Sequence, residues 1–246
     1  MREWQGKRYW LVGASEGLGR ELALIMSRAG AEVILSARSE ERLQELAGEM
    51  PGKSRVVPVD VSDSDSVRAA AEKIGEIDGM VFLAGVYWPM KSTEWKPDEA
   101  EQMADINFLG AMRSVGAVIG PMVARDAGHI VLTGSLSGFR GLPGAIGYGA
   151  SKAGVMYLAE SMQADLRRSG VEVQLVNPGF IRTRLTDKND FAMPFIMEPD
   201  AAAREFFDHM NGDDFKKSYP MVFSWLFRLS QFLPDWAYYR LFGSKG

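Results

Sequence analysis

Through the first two thirds of the chain, short apolar runs rich in β-branched residues alternate with longer segments whose apolar positions recur every three or four residues. The runs Tyr9–Val12, Glu32–Ser36, Ser54–Val59, Met80–Leu83, His129–Thr133 and Glu172–Val176 predict strands. Leu18–Ala29, Glu40–Met50, Ser64–Ile74 and Tyr148–Ser169 predict helices. This alternation implies parallel strands joined by crossover helices on both faces of one sheet. With no internal repeat or low-complexity linker, residues 1–246 read as one domain. The rhythm breaks in an aromatic-rich C-terminal extension, residues 214–246. There Met221, Trp225, Leu226, Leu229, Phe232 and Leu233 form one apolar helical stripe ending at Pro234.

Composition narrows the functional classes. Hydrophobic residues make up 46% and charged residues 24%, which excludes disorder and fibrous repeats. With 28 Lys and Arg against 32 Asp and Glu, net charge is −4, so no nucleic-acid partner is expected. The absence of cysteine excludes disulfides, a thiolate nucleophile and thiolate metal ligation. His129 and His209 are the only histidines, so no metal centre is expected, and both are read as structural or solvated. The charged start Met1–Arg8 does not resemble a secretory leader, and no run of about 18 uncharged apolar residues occurs. A cytoplasmic location is the expectation.

Candidate chemistry begins where the first strand enters the first helix, at Gly13-Ala14-Ser15-Glu16-Gly17-Leu18-Gly19. Glycines there let the backbone turn tightly and approach a pyrophosphate, while the helix N-terminus offers N–H groups and positive potential. Alone, such a loop is also explicable as a tight turn; its strand–turn–helix setting favours the phosphate reading. The second strand ends in Ser36-Ala37-Arg38, without a carboxylate for a ribose 2′-hydroxyl. Arg38 is suited to a 2′-phosphate, which favours NADP(H) with NAD(H) as the alternative; the plainer reading is a surface arginine at a helix start. Asp60, followed by Val61, either meets adenine or caps the helix beginning near Ser64.

Tyr148 and Lys152 lie four residues apart, on one helical face. A neighbouring ammonium is expected to lower a phenol's pKa from near 10 towards the working range of an acid–base catalyst. Ser135 follows an apolar strand in Thr133-Gly134-Ser135-Leu136-Ser137-Gly138, and Asn177-Pro178-Gly179 follows the next, with Thr183 beyond.

Taken in order, Gly13-x3-Gly17-x-Gly19, Asp60, Asn107, Ser135, Tyr148-x3-Lys152 and Asn177-Pro178-Gly179 resemble the short-chain dehydrogenase/reductase family in its compact form, over residues 9 to 185. The resemblance implies an α/β, doubly wound, three-layer Rossmann-like fold with a central parallel β-sheet of about seven strands. It implies that Tyr148 exchanges a proton with the substrate oxygen and that Ser135 holds that oxygen. Lys152 would bind the nicotinamide ribose and depress the tyrosine pKa, and Asn107 would hold a relay water. The implied cofactor set is Gly13, Ser15, Glu16, Gly17, Leu18, Gly19, Arg38, Asp60, Val61, Ala84, Gly85, Asn107, Tyr148, Lys152, Pro178, Gly179, Ile181 and Thr183. Ser137 is the lesser candidate because the family spacing selects Ser135. Two departures stand out: Phe82-Leu83-Ala84-Gly85 replaces the family's N-N-A-G, removing two side-chain amides, and Val12 stands where threonine is frequent.

Loops beyond the strand ends set specificity in such folds. They offer Val86, Tyr87, Trp88, Met90, Phe139, Leu142, Leu185, Phe191, Met193, Phe195 and Met197, which suit an apolar small-molecule carbonyl or alcohol unless several merely pack under a lid. The expected function is NADP-dependent carbonyl–alcohol interconversion. The alternatives are a non-catalytic dinucleotide-binding sensor or scaffold, and an epimerase- or dehydratase-type reaction. The extension is expected to pack within the chain or complete a homo-oligomer, with peripheral membrane contact as the lesser reading.

Overall fold

A computed structural model describes residues 2–189 and 193–243. Seven strands form one parallel sheet: β1 Arg8–Val12, β2 Glu32–Ser36, β3 Ser54–Val56, β4 Gly79–Phe82, β5 Gly128–Thr133, β6 Val171–Pro178 and β7 Lys216–Tyr219, in the order β3-β2-β1-β4-β5-β6-β7. The order reverses between β1 and β4, opening a crevice at the carboxyl edge of the sheet, where such folds take ligands.

Alternation along each strand explains the layering. Trp10, Val12, Met80 and Phe82 point to one face, where they pack on α3 (Ser64–Ile74), α5 (Gly110–Ala124) and α6 (Ile146–Leu166). Tyr9, Leu11, Val81 and Val131 point to the other, against α1 (Gly17–Arg28), α2 (Glu40–Glu49) and α7 (Pro199–Met210). Burial on both faces is why these strands read as continuous apolar runs.

Several expectations need correction. The third strand ends at Val56, although the Val57 and Val59 amides still donate to Leu35 and Ala37 carbonyls. β7 has no apolar signature because it is a short edge strand. Its Lys216 reaches Glu160 of α6 at 2.5 Å, and Lys217 reaches Glu205 of α7 at 2.7 Å. A helical run of 28 residues, Pro97–Ala124, comprises α4 (Pro97–Met103), a π-helical turn (Ala104–Leu109) and α5. By length and composition it could cross a membrane, but Met103, Ala111, Val115, Val118 and Met122 are buried. Both histidines are buried: His129 sits between the Tyr9 hydroxyl and the Gln174 amide, each at 2.9 Å.

The extension departs most from expectation. It forms two helices, α8 (Met221–Ser230) and α9 (Asp235–Phe242). The face of α8 buried within the chain is Phe223, Ser224 and Ser230, whereas the expected stripe of Met221, Trp225, Leu226, Leu229 and Phe232 faces solvent. The helical spacing correctly indicates an apolar face, but the protein body is covered by the opposite one.

Candidate active site

The glycine loop is shaped by close approach. Gly13 has φ of +100°, and a Cβ there would collide with the Ala84 backbone. Gly17 has φ of +54°, and a Cβ there would lie 2.9 Å from Thr183 Cγ2. Glu16 occupies the N-cap of α1 but makes no capping bond, and no acidic residue lies in the first turn. Its carboxylate instead pairs with Arg42 at 3.1 Å and with Arg184. The first-turn N–H groups thus lack the side-chain cap that commonly satisfies such donors, and they are suited to an anion.

Phe82 is fully buried in the core, and the missing asparagines are not needed to hold this turn. The Leu83 and Ala84 amides both donate to Val12 O, at 2.7 and 2.9 Å, so main-chain bonds to β1 place Ala84 and Gly85 beside the glycine loop.

A cleft of about 310 Å³ runs along the carboxyl edge. It is lined by every residue of the expected cofactor set except Asn107, and by Ser135. The sequence reading missed Ser39, Arg42, Arg184 and Thr186, which also line it. Arg42 lies in the first turn of α2, four residues after Arg38, and that proximity in sequence could have disclosed it. Asp60 does not cap α3, because Asp63 does so by accepting from Asp65 N at 2.8 Å. Asp60 Oδ1 instead accepts from the Ser62 amide and hydroxyl, at 3.0 and 2.6 Å. Burial raises the Asp60 pKa, but these bonds and the Arg38 and Arg113 charges outweigh it, and the carboxyl lies below its ordinary value.

Asn107 does not line the cleft. It is fully buried behind the cleft in the π-helical turn, and its amide is already engaged. Oδ1 accepts from Val86 N at 2.7 Å, while Nδ2 donates to Val86 O and to Ser151 Oγ, both at 3.0 Å. Ser151 Oγ in turn donates to Tyr148 O at 2.8 Å. Asn107 therefore ties the segment after β4 to the start of α6.

Ser135, Tyr148 and Lys152 do converge. The Tyr148 hydroxyl and Ser135 face the same cleft, close enough for Ser135 to favour the phenolate, and Ser135 Oγ accepts from Ser137 Oγ at 2.9 Å. Lys152 is buried, and its Nζ donates to Thr133 O at 2.9 Å. The expected depression of the tyrosine pKa is not what this arrangement produces. Loss of solvent around the phenol pushes it up to about 12, with Ser135 acting only in the opposing sense. Burial likewise pushes the Lys152 ammonium down to about 8. Nζ stands 5.8 Å from the Tyr148 ring centroid and gives one of its three N–H groups to a carbonyl.

A second cavity, of about 690 Å³, meets the first at Ser135, Tyr148, Gly179, Leu185 and Thr186. Of the expected substrate residues, Tyr87, Met90, Leu142 and Leu185 line it. Val86 lines the first cleft, Phe139 packs on the sheet core, Met197 packs on the opposite core, and Phe195 is largely exposed. Trp88 and Met193 line neither cavity, and Phe191 lies outside the described residues. Phe180, Phe223 and Phe227 were missed; the two from α8 reach the cavity only through the tertiary fold.

Residues 7–192 match the family described as short chain dehydrogenase. An uncharacterized oxidoreductase of Myxococcus xanthus is 35% identical over 242 residues, covering 96% of both chains. A solved short chain dehydrogenase/reductase family protein is 29% identical with a TM-score of 0.79, covering 84% of this chain and 90% of its own. A short-chain dehydrogenase from Streptomyces avermitilis shares the fold, with a TM-score of 0.82 over 91% of both chains at 22% identity.

Proposed function

Given that the chain belongs to the short-chain dehydrogenase family and is an oxidoreductase of that family, we propose that it interconverts a carbonyl and a secondary alcohol on an apolar small molecule, using NADP(H), with Tyr148 as the acid–base group. The observation that carries this reading is the common wall of the two cavities. Ser135 and Tyr148 stand where the cleft beside the glycine loop meets the second, more apolar cavity, so a group bound in either reaches the same two hydroxyls.

The cleft fits a dinucleotide phosphate. Side chains are excluded at Gly13 and Gly17, the first turn of α1 lacks a side-chain cap, and the Thr133 hydroxyl is buried without a partner among the described residues. Ser15 and the first-turn amides would hold the pyrophosphate, Arg38 and Arg42 the 2′-phosphate, Lys152 the ribose hydroxyls, and Gly179 and Thr183 the carboxamide end. When bound, the cofactor supplies or accepts the hydride. Ser135 Oγ orients the substrate oxygen. A Tyr148 phenol with pKa near 12 is protonated at neutral pH, the form able to give its proton to that oxygen in the reductive direction. Asn107 holds Tyr148 in place through Ser151. Leu109, Met112 and Val123 on the outer face of the α4–α5 run, with Tyr157 on α6, are exposed and suit a homo-oligomeric contact.

The deciding experiment is titration of the purified protein with NADPH and with NADH, followed by tryptophan quenching, then NADPH consumption across apolar ketones. Tighter NADPH is expected. Tighter NADH would remove the roles of Arg38 and Arg42, and binding of neither by folded protein would overturn the oxidoreductase mechanism.

A further inference from the structure

The helix α8 has two apolar faces. One carries Phe223 and Phe227 into the wall of the apolar cavity. The other presents Met221, Trp225 and Leu229 to solvent and continues through Phe232, 84% exposed, to Trp236 and Tyr239 of α9, 74% and 63% exposed. Fixed helices with this much outward aromatic surface are not explained by packing within the chain.

Charge decides what covers it. Between residues 221 and 243 the basic residues are Arg228 and Arg240, and the one carboxylate is Asp235. Asp235 is already held by Arg140 at 2.5 Å. A second copy docking through the same patch would bring like charges together with no free acid to answer them, because a two-fold interface must complement itself. An anionic lipid surface answers both features: tryptophan and tyrosine favour the boundary between headgroup and acyl chain, and the arginines pair with phosphate. We propose that α8 and α9 lie on an anionic lipid surface with Trp225, Phe232, Trp236 and Tyr239 inserted at the headgroup level. This docks the outer face of the cavity wall against the phase in which apolar compounds concentrate. The docking itself does not depend on the oxidoreductase mechanism.

The test is flotation of the full chain with phosphatidylcholine vesicles, with and without phosphatidylglycerol, together with tryptophan emission and solution mass. Expected is binding that requires phosphatidylglycerol and a blue shift in emission. The double variant Trp225→Glu, Trp236→Glu should abolish binding while retaining NADPH quenching and circular dichroism. Arg240→Gln, at an exposed position, should weaken binding about fivefold, as one basic residue near an anionic surface does. Absence of binding by folded wild-type protein overturns the proposal, as does unchanged binding by the double variant. A dimer that the double variant dissociates, without vesicle binding, assigns the surface to a second copy. Loss of NADPH binding with vesicle binding intact would strike the cofactor reading and leave the docking standing.

Discussion

The guanidinium of Arg140 lies 3.9 Å from the ring centroid of Tyr238, joining the loop between Ser135 and Tyr148 to the last helix of the chain. The same group donates to Ser230 O and Leu233 O, at 2.6 and 2.7 Å, and pairs with Asp235. The Tyr238 hydroxyl donates back to Gly141 O at 2.7 Å. One side chain thus satisfies the carbonyls at the α8–α9 turn and fixes the angle between the two helices.

Removing it strands those carbonyls and releases the stacked ring. Arg140→Ala should lose about 3 kcal/mol of stability, since hydrogen bonds to charged donors are among the stronger ones. Arg140→Lys should recover little of this, because an ammonium cannot reproduce the planar fork. Urea unfolding measures the loss, and limited proteolysis should find early cuts after residue 220. Equal stability of wild type and Arg140→Ala would show that the tail is held by other contacts.

The proton-transfer role makes a separate demand. Tyr148→Phe should lower turnover by about 10²-fold or more, because it removes the general acid. NADPH affinity should fall far less than turnover, because the glycine loop, the arginines and Lys152 carry most of the contacts proposed for the cofactor. Ser135→Ala should lower turnover with the phenol still present. Parallel quenching titrations separate chemistry from binding, and full activity in Tyr148→Phe would eliminate the proposed acid.

Much of this site is legible in the sequence because its parts are local. Gly13 to Gly19 and Tyr148 to Lys152 each fall within a turn or two of helix, and their chemistry depends on spacing. What was missed depends on distant packing. Arg184 enters the cleft because the segment after β6 folds back towards Glu16, and Phe223 enters the apolar cavity from helix α8, far along the chain. Electrostatics were misread for a related reason. The four-residue spacing places Lys152 beside Tyr148 but does not disclose that burial raises the phenol pKa, or that Thr133 O accepts from the ammonium. The tail's periodicity marked an apolar face without saying whether protein covers it.

Glu16 is a carboxylate in a cleft proposed to receive phosphates. Its bonds to Arg42 and Arg184 offset part of their charge and keep them in place. Glu16→Gln should free both for phosphate and tighten NADPH several-fold, an effect that salt diminishes. Arg42→Ala should weaken NADPH more than NADH. Weaker NADPH binding in Glu16→Gln would mean that the carboxylate orders the arginines more than it competes for them.

Burial of Lys152 has a consequence for stability that can be measured without substrate. The unfolded lysine titrates near 10.5 and the folded one near 8. Below pH 8 both states hold the proton, and the folded state bears the cost of a desolvated ammonium. Between 8 and 10.5 the unfolded chain binds the proton that the folded chain has released, so this residue makes stability rise with pH. Tyr148 acts in the opposite sense, but only above pH 10, where the unfolded phenol ionises before the folded one. Lys152→Met removes the titration while keeping most of the stem. The stability of this variant relative to wild type should therefore decline by about 3 kcal/mol as pH rises from 7 to beyond 10. Urea unfolding of both proteins across that range gives the difference directly, with the shared titrations cancelling. Parallel curves would show that Lys152 titrates normally in the folded chain, and hence that solvent reaches its ammonium.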